Sequence, residues 1–241
     1  MATKDWFTSW FDTPYYHILY KHRNDEEAQH FMQHITSFLQ LPKTAHILDL
    51  PCGKGRHSIY LNSLGYTVSG RDLSGNSIKH AQQFENNALF FKQWDMRNPL
   101  DKKFDAIFNL FTSFGYFDDD NEDIKILQNI KNGLQENGVF VMDFLNVIKT
   151  KQNLVAEEVK TIDNITFHIQ REIKDGFIQK HIAFTADEQE FNFTEKVKFL
   201  DLDKMKTYFS EVGFIINHIF GDYDLNAFDA ENSNRLIIVA Q

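Results

Sequence analysis

The sequence predicts an α/β fold: a doubly wound, mostly parallel sheet of seven strands that carries a small antiparallel β insert. Two observations predict the sheet. Short apolar runs rich in Ile, Val, Leu and Phe recur along the chain, and segments with helical spacing of apolar residues separate most of them. A third observation predicts the insert, because from about residue 161 to 200 the pattern turns to alternation of apolar and polar residues.

Residues 14–40 hold one or two helices: Ile18 and Leu19, then Phe31, Ile35, Phe38 and Leu39, recur at helical spacing until Pro42 ends the pattern. Strand 46–50, "HILDL", runs into a turn with Gly53 and Gly55 and then helix 54–64. Strand 66–71, helix 75–86, strands 89–93 and 104–110, helix 121–134 and strand 138–144 follow, with Gly133, Asn137 and Gly138 punctuating the last link. Strands joined through helices pair in parallel, since a crossover needs a connection of that length. Ile165, Phe167 and Ile169, then Ile178, Ile182 and Phe184, then Phe191, Phe193, Val197 and Phe199 define three antiparallel strands, with Asp175-Gly176 as the hairpin signal between the first two. A helix at 202–212, stopped by Gly213, leads to strands 214–220 and 235–240. We expect one domain over 1–241, with a helical preamble at 1–44 and the insert at about 155–200.

A hydrophobic fraction of 42% supports a sizeable core and excludes a disordered or fibrous chain. The net charge of −9 opposes phosphate polyanions, so no nucleic-acid partner is expected. With a single cysteine no internal disulfide forms, which suits a reducing compartment. No apolar run is long enough to span a bilayer and the first residues lack a signal-peptide core. The expectation is a cytoplasmic protein with no membrane partner, and a homo-oligomer is compatible with this composition.

In a doubly wound sheet the ligand lies beyond the carboxyl ends of the strands, where the strand order reverses. Gly53 and Gly55 allow close approach of the backbone there, and the amides opening the next helix favour an anionic group. Asp72 ends the second strand at about the distance from this turn at which an acidic side chain meets ribose hydroxyls. Asp95 follows the third strand, placed to accept from an exocyclic amine. A glycine turn also closes strands that bind nothing, and helix capping alone accounts for either aspartate; acids after three strands on one rim favour a nucleotide-like ligand. His30 and His34 share a helix face, but no glutamate lies between them and the sequence indicates no third ligand, so no metal site is expected.

Four segments in order resemble class I S-adenosylmethionine-dependent methyltransferases. "ILDLPCGKG" is similar to their first motif, "VSGRDLS" to the ribose-binding strand end, "WDMRNP" to the adenine-binding segment, and "FDAIFNLFTSFGYF" to the fourth strand with its substrate-side loop. The closing helix and two strands resemble their C-terminal hairpin, whose last strand runs antiparallel. The likeness covers residues 14–144 and 201–241. It implies S-adenosyl-L-methionine as cofactor and transfer of its methyl group, by direct in-line displacement, to a nitrogen or oxygen of a small-molecule acceptor.

By the same resemblance Asp49 orders the turn near the methionine part, Cys52, Gly53 and Gly55 lie against it, and Asp72 with Leu73 holds the ribose. Asp95 and Met96 frame the adenine, and Asn109 and Leu110 end the fourth strand beneath the sulfonium. "YYHILYKHR" resembles the N-terminal helix of glycine N-methyltransferase-like enzymes, which implies that Tyr20 and Arg23 reach the cofactor, Arg23 pairing the carboxylate. The family pattern Asp/Glu-x-Gly-x-Gly-x-Gly has Pro51 in place of its first glycine here. Proline offers no amide, so contacts are expected from Cys52 to Gly55. Tyr116, His57 and Ser113 are the candidate catalytic groups, and Cys52, with no histidine partner indicated, is read as a turn residue rather than a nucleophile. Two alternatives stay open. Gly53-Lys54-Gly55-Arg56-His57-Ser58 imitates the Gly-x-Gly-x-x-Gly of NAD-dependent oxidoreductases, and a non-catalytic cofactor-binding or scaffold protein would keep the same fold.

Overall fold

The computed structural model describes residues 6–21 and 25–241. Three helices open it, α1 (Trp6–Trp10), α2 (Pro14–Leu19) and α3 (Asp25–Leu39); the last two are the pair expected within 14–40, and α1 precedes that range. The alternating part runs β1 (His46–Asp49), α4 (Arg56–Ser63), β2 (Thr67–Asp72), α5 (Gly75–Ala81), β3 (Leu89–Gln93), β4 (Phe104–Asn109), α6 (Asp120–Asn132) and β5 (Leu134–Leu145). A short helix α7 (Val147–Gln152) leads to β6 (Glu157–Ile162), β7 (Ile165–Lys174), β8 (Phe177–Ala186) and β9 (Gln189–Lys198). The chain closes through α8 (Leu202–Glu211), β10 (Ile216–Phe220) and β11 (Arg235–Ala240).

Local chemistry fixes the helix starts. Thr13, Ser74, Asp119, Asn146 and Asp201 each accept a backbone N–H of the following first turn, and Pro14 occupies the start of α2, where its missing N–H costs nothing. The expected helix at 75–86 stops at Ala81 and continues only as a 3-10 turn over Gln82–Phe84. The strand expected at 138–144 begins at Leu134, reached through a break in register between Phe104 and Ala106 of the neighbouring strand.

The seven-stranded sheet has the order β10-β11-β5-β4-β1-β2-β3. β1 pairs in parallel with both β2 and β4, so the order reverses at β1 and opens a crevice at its carboxyl end. β11 runs antiparallel to β5 and β10, which makes it the one reversed strand of an otherwise parallel sheet. Neighbouring residues of β1 point to opposite faces: Ile47 joins Phe31, Val68, Phe91 and Phe108, while Leu48 joins Phe140, Met142, Phe209 and Leu236. Burying each such side chain contributes about 1.5–3 kcal/mol, so the two faces anchor the switch-point strand from both sides.

The insert is a separate antiparallel sheet of four strands, β6-β7-β8-β9, rather than three. β6 has no buried apolar alternation to mark it, and its Val159 is 62% exposed. The buried face of the insert packs against the preamble, with Trp10 and Leu19 joining Phe167, Ile169, Ile182 and Phe184 in one cluster. Tyr15 donates to Asp187 and Lys21 pairs with Asp163 at the edges of this contact. Among the described residues no helix is long and apolar enough to cross a membrane.

Candidate active site

A cavity of about 1380 Å³ lies over the carboxyl ends of β1 to β4, roofed by α1, α2 and β9. A single small ligand typically occupies a pocket of about 300–1,000 Å³, so this volume accommodates a cofactor with an acceptor beside it.

The turn after β1 forms the floor. The Cys52 N–H donates to the Arg71 carbonyl and the Gly55 N–H to the Cys52 carbonyl, both at 2.9 Å. The Gly53 N–H donates to Asp72 Oδ2 at 2.7 Å. The amides of Cys52, Gly53 and Gly55 are therefore donated within the protein. What this turn offers the cavity is open space: at Gly53, with φ +54°, a Cβ would meet nothing within 4 Å. Gly55 packs under Phe91. With φ +86°, a Cβ there would lie 2.7 Å from the Phe91 ring, and one on Gly70 would lie 2.5 Å from it.

Asp49 is fully buried and accepts from Ser58 Oγ at 2.6 Å, so it orders the turn from beneath. Burial pushes its pKa up to about 7. Its second oxygen has no hydrogen-bond partner among the described residues. Asn109 is fully buried, and its side-chain amide donates to the carbonyls of Leu50 at 2.9 Å and Ser113 at 3.3 Å. It ties the β1 turn to the loop after β4.

Cys52, Gly53, Asp72, Leu73, Asp95, Met96, Leu110 and Tyr20 line the cavity. Burial raises the Asp72 pKa against the opposing pull of the Ser74 and Gly53 amides. Burial also acts to raise Asp95, but hydrogen bonds and charge from Arg97 outweigh it and hold the carboxyl below its ordinary value. The Cys52 thiol is pushed well up by burial, then by Asp49 and Asp72, which removes thiolate character. Arg23 lies outside the described residues.

The three candidate catalytic groups also face the cavity. Tyr116 donates its hydroxyl proton to the Thr112 carbonyl at 2.7 Å and its ring contacts Trp6 and Phe7. Ser113 donates to the Leu110 carbonyl at 2.8 Å, and the His57 ring lies 5.3 Å from that of Phe111. Phe111 and Thr112 both take left-handed backbone conformations, φ 58° and 63°, which non-glycine residues adopt at a cost. Asp143 holds them there: it accepts from the Phe111 N–H at 2.9 Å, from Arg235 Nε at 2.6 Å and from the Tyr223 hydroxyl at 3.1 Å.

Sequence reasoning missed Glu195 on β9. Its carboxylate lines the cavity and accepts from Trp10 Nε1 at 2.7 Å and from the Tyr20 hydroxyl at 2.6 Å, with Lys180 Nζ 3.7 Å away. The signal was present, because Phe191, Phe193, Val197 and Phe199 alternate and Glu195 is the one acid in their phase.

The donor set fits S-adenosylmethionine. Asp72 presents a carboxylate for a diol, Gly53 leaves a cradle that a Cβ would fill, and Leu73 and Met96 supply apolar walls for a flat base.

Residues 41–199 match the family model described as "Methyltransferase domain". Among curated relatives, YqeM of Bacillus subtilis (strain 168), a protein named as a methyltransferase, is 35% identical over 107 residues, 43% of each chain. The dTDP-3-amino-3,4,6-trideoxy-alpha-D-glucopyranose N,N-dimethyltransferase of Streptomyces venezuelae is 29% identical over 103 residues, 42% of this chain and 43% of that one. These matches thus span less than half the length of both relatives. The crystal structure of an S-adenosylmethionine-dependent methyltransferase from Clostridium acetobutylicum ATCC 824 shares the fold with a TM-score of 0.80 at 19% identity, over 94% of this chain and 95% of that one.

Proposed function

The chain belongs to the methyltransferase-domain family, and on that premise we propose that it methylates a nitrogen or oxygen of a small polar molecule, with an amine nitrogen as the favoured acceptor. It is a class I S-adenosylmethionine-dependent methyltransferase, and S-adenosylmethionine is its cofactor. The observation that carries the acceptor reading is the second wall of the cavity, which Trp6, Phe7, Phe11, Tyr16 and Tyr116 line together with the Glu195 carboxylate. Aromatic faces and a carboxylate suit an acceptor that arrives as a cation, as an amine does. The amino-sugar dimethyltransferase among the relatives supports the same chemistry.

On this reading Asp72 and Leu73 hold the ribose, Asp95 and Met96 flank the adenine, and Cys52, Gly53, Leu110 and Tyr20 border the methionine part. The bound cofactor supplies an electrophilic methyl group on a positively charged sulfur. The protein's task is then to align the acceptor lone pair behind that carbon and to exclude water, which the aromatic roof from α1 and α2 does. An amine that arrives protonated must give up a proton to free its lone pair before the new bond to carbon forms; Glu195, held in place by Trp10 and Tyr20, is the group positioned to take it. Ser113 and Tyr116 direct their hydroxyl protons to backbone carbonyls, so both offer lone pairs to an acceptor N–H or O–H.

A panel of small amines, amino sugars and their hydroxyl counterparts, incubated with methyl-labelled cofactor, tests the reading. Label is expected in amine products with equimolar S-adenosylhomocysteine. Label confined to hydroxyl products would replace the nitrogen reading, and cofactor binding without turnover on any acceptor would favour the scaffold alternative.

A further inference from the structure

His30 and His34 lie one turn apart on α3, with ring centroids 4.0 Å from each other. The third ligand that the sequence did not indicate comes from the segment between β10 and β11: His30 Nε2 is 2.7 Å from Asp224 Oδ1, and His34 Nδ1 is 3.9 Å from the same oxygen. One ligand atom from each of the three residues lies within 4.8 Å of the others. We propose that His30, His34 and Asp224 form a surface site for a zinc-class divalent cation that staples α3 to the 221–234 segment.

The donor set selects the ion. Two imidazoles and one carboxylate suit zinc, cobalt or nickel rather than magnesium or calcium, which take oxygen ligands. Bonds of about 2.0–2.1 Å in a tetrahedron place ligand atoms about 3.3 Å apart, and ligand atoms of the three residues already lie within 4.8 Å of one another, so modest side-chain rotation closes the set around an ion. Because a carbonyl only accepts, the 2.9 Å contact from His34 Nδ1 to the Tyr223 carbonyl puts the proton on Nδ1 and leaves the Nε2 lone pair for an ion. The His30 Nε2 proton, now donated to Asp224, is what the ion would displace. All three side chains are well exposed, so an ion and its completing water have free access.

The staple would act on the acceptor side of the cavity. Tyr223, next to Asp224, stacks on Phe31 of α3, lies against Phe111, and donates to Asp143, the carboxylate that holds Phe111 and Thr112. An ion at the site would thus fix the segment that buttresses the loop after β4, without touching cofactor or acceptor.

Titration of the tag-free full chain with zinc chloride in a calorimeter, and with cobalt chloride followed by visible absorption, tests the proposal. One ion per chain, a tetrahedral cobalt spectrum and a zinc-dependent rise in thermal midpoint are expected. His30→Ala and Asp224→Asn should each weaken binding by at least about tenfold and abolish the thermal rise, while circular dichroism without metal stays like that of the wild type. No saturable binding by the wild type, or binding and a thermal rise unchanged in His30→Ala and Asp224→Asn, would overturn it.

Discussion

Asp72 Oδ2 accepts the Gly53 N–H at 2.7 Å, so the acid that ends β2 and the glycine that follows β1 form one unit. Asp72 Oδ1 accepts the Ser74 N–H at 2.8 Å and orders the start of α5 as well. The carboxylate thus shapes the floor of the cavity before any ligand arrives. On the proposed cofactor placement, a ribose diol would meet an acceptor group whose position two backbone amides already fix, which lowers the ordering cost of binding.

The two glycines of the floor should separate in experiment. Gly55→Ala places a Cβ 2.7 Å from the Phe91 ring at φ +86°, and is expected to lower stability by about 1–3 kcal/mol in urea unfolding. Gly53→Ala meets nothing within 4 Å and should cost only about 1 kcal/mol from its positive φ, yet weaken cofactor binding because the methyl enters the cavity. Equal effects of both on stability and on binding would contradict the assignment.

Asp49 makes stability depend on pH in an unusual direction. Its pKa is raised from 3.8 to about 7, so between those values the folded state holds a proton that the unfolded state has lost. Stability therefore falls as pH rises through this window, by an amount on the order of a few kcal/mol. Asp49→Asn keeps an oxygen for the Ser58 hydroxyl and removes the charge, so its stability should change less than that of the wild type between about pH 4.5 and about pH 7.5. Denaturant midpoints at both pH values check this, and parallel behaviour of the two proteins would refute it.

Glu195→Gln preserves size and can still accept from Tyr20 and Trp10, but it cannot take a proton from the acceptor. Turnover should drop by about 10²–10⁴-fold while S-adenosylmethionine affinity stays within about twofold. A variant with full turnover would reduce Glu195 to a structural link between the insert and the preamble.

The parallel sheet, its order of elements and several residues that line the cavity were legible because each rests on local patterns: apolar strands, capping residues, glycines at positive φ and acids at strand ends. A motif position does not say what a residue packs against: Asn109 turns inward to hold Leu50 and Ser113, and Gly55 is required by Phe91, 36 residues along the chain. The pairing of Asp224 with His30 is likewise a product of topology, since it joins residues 194 apart. Glu195 differs: its place in an apolar phase was visible, and it took the packing of the insert on α1 and α2 to show that this phase also borders the cavity.

The most direct measurement is a calorimetric titration of S-adenosylmethionine into the wild type and Asp72→Ala, with NAD as comparison. The wild type should bind one S-adenosylmethionine per chain and no NAD, and Asp72→Ala should bind at least about tenfold more weakly, a loss of about 1.4 kcal/mol or more. Unchanged affinity in Asp72→Ala, or tight NAD binding with none of S-adenosylmethionine, would contradict the placement of the cofactor on the floor that Asp72 and Gly53 build.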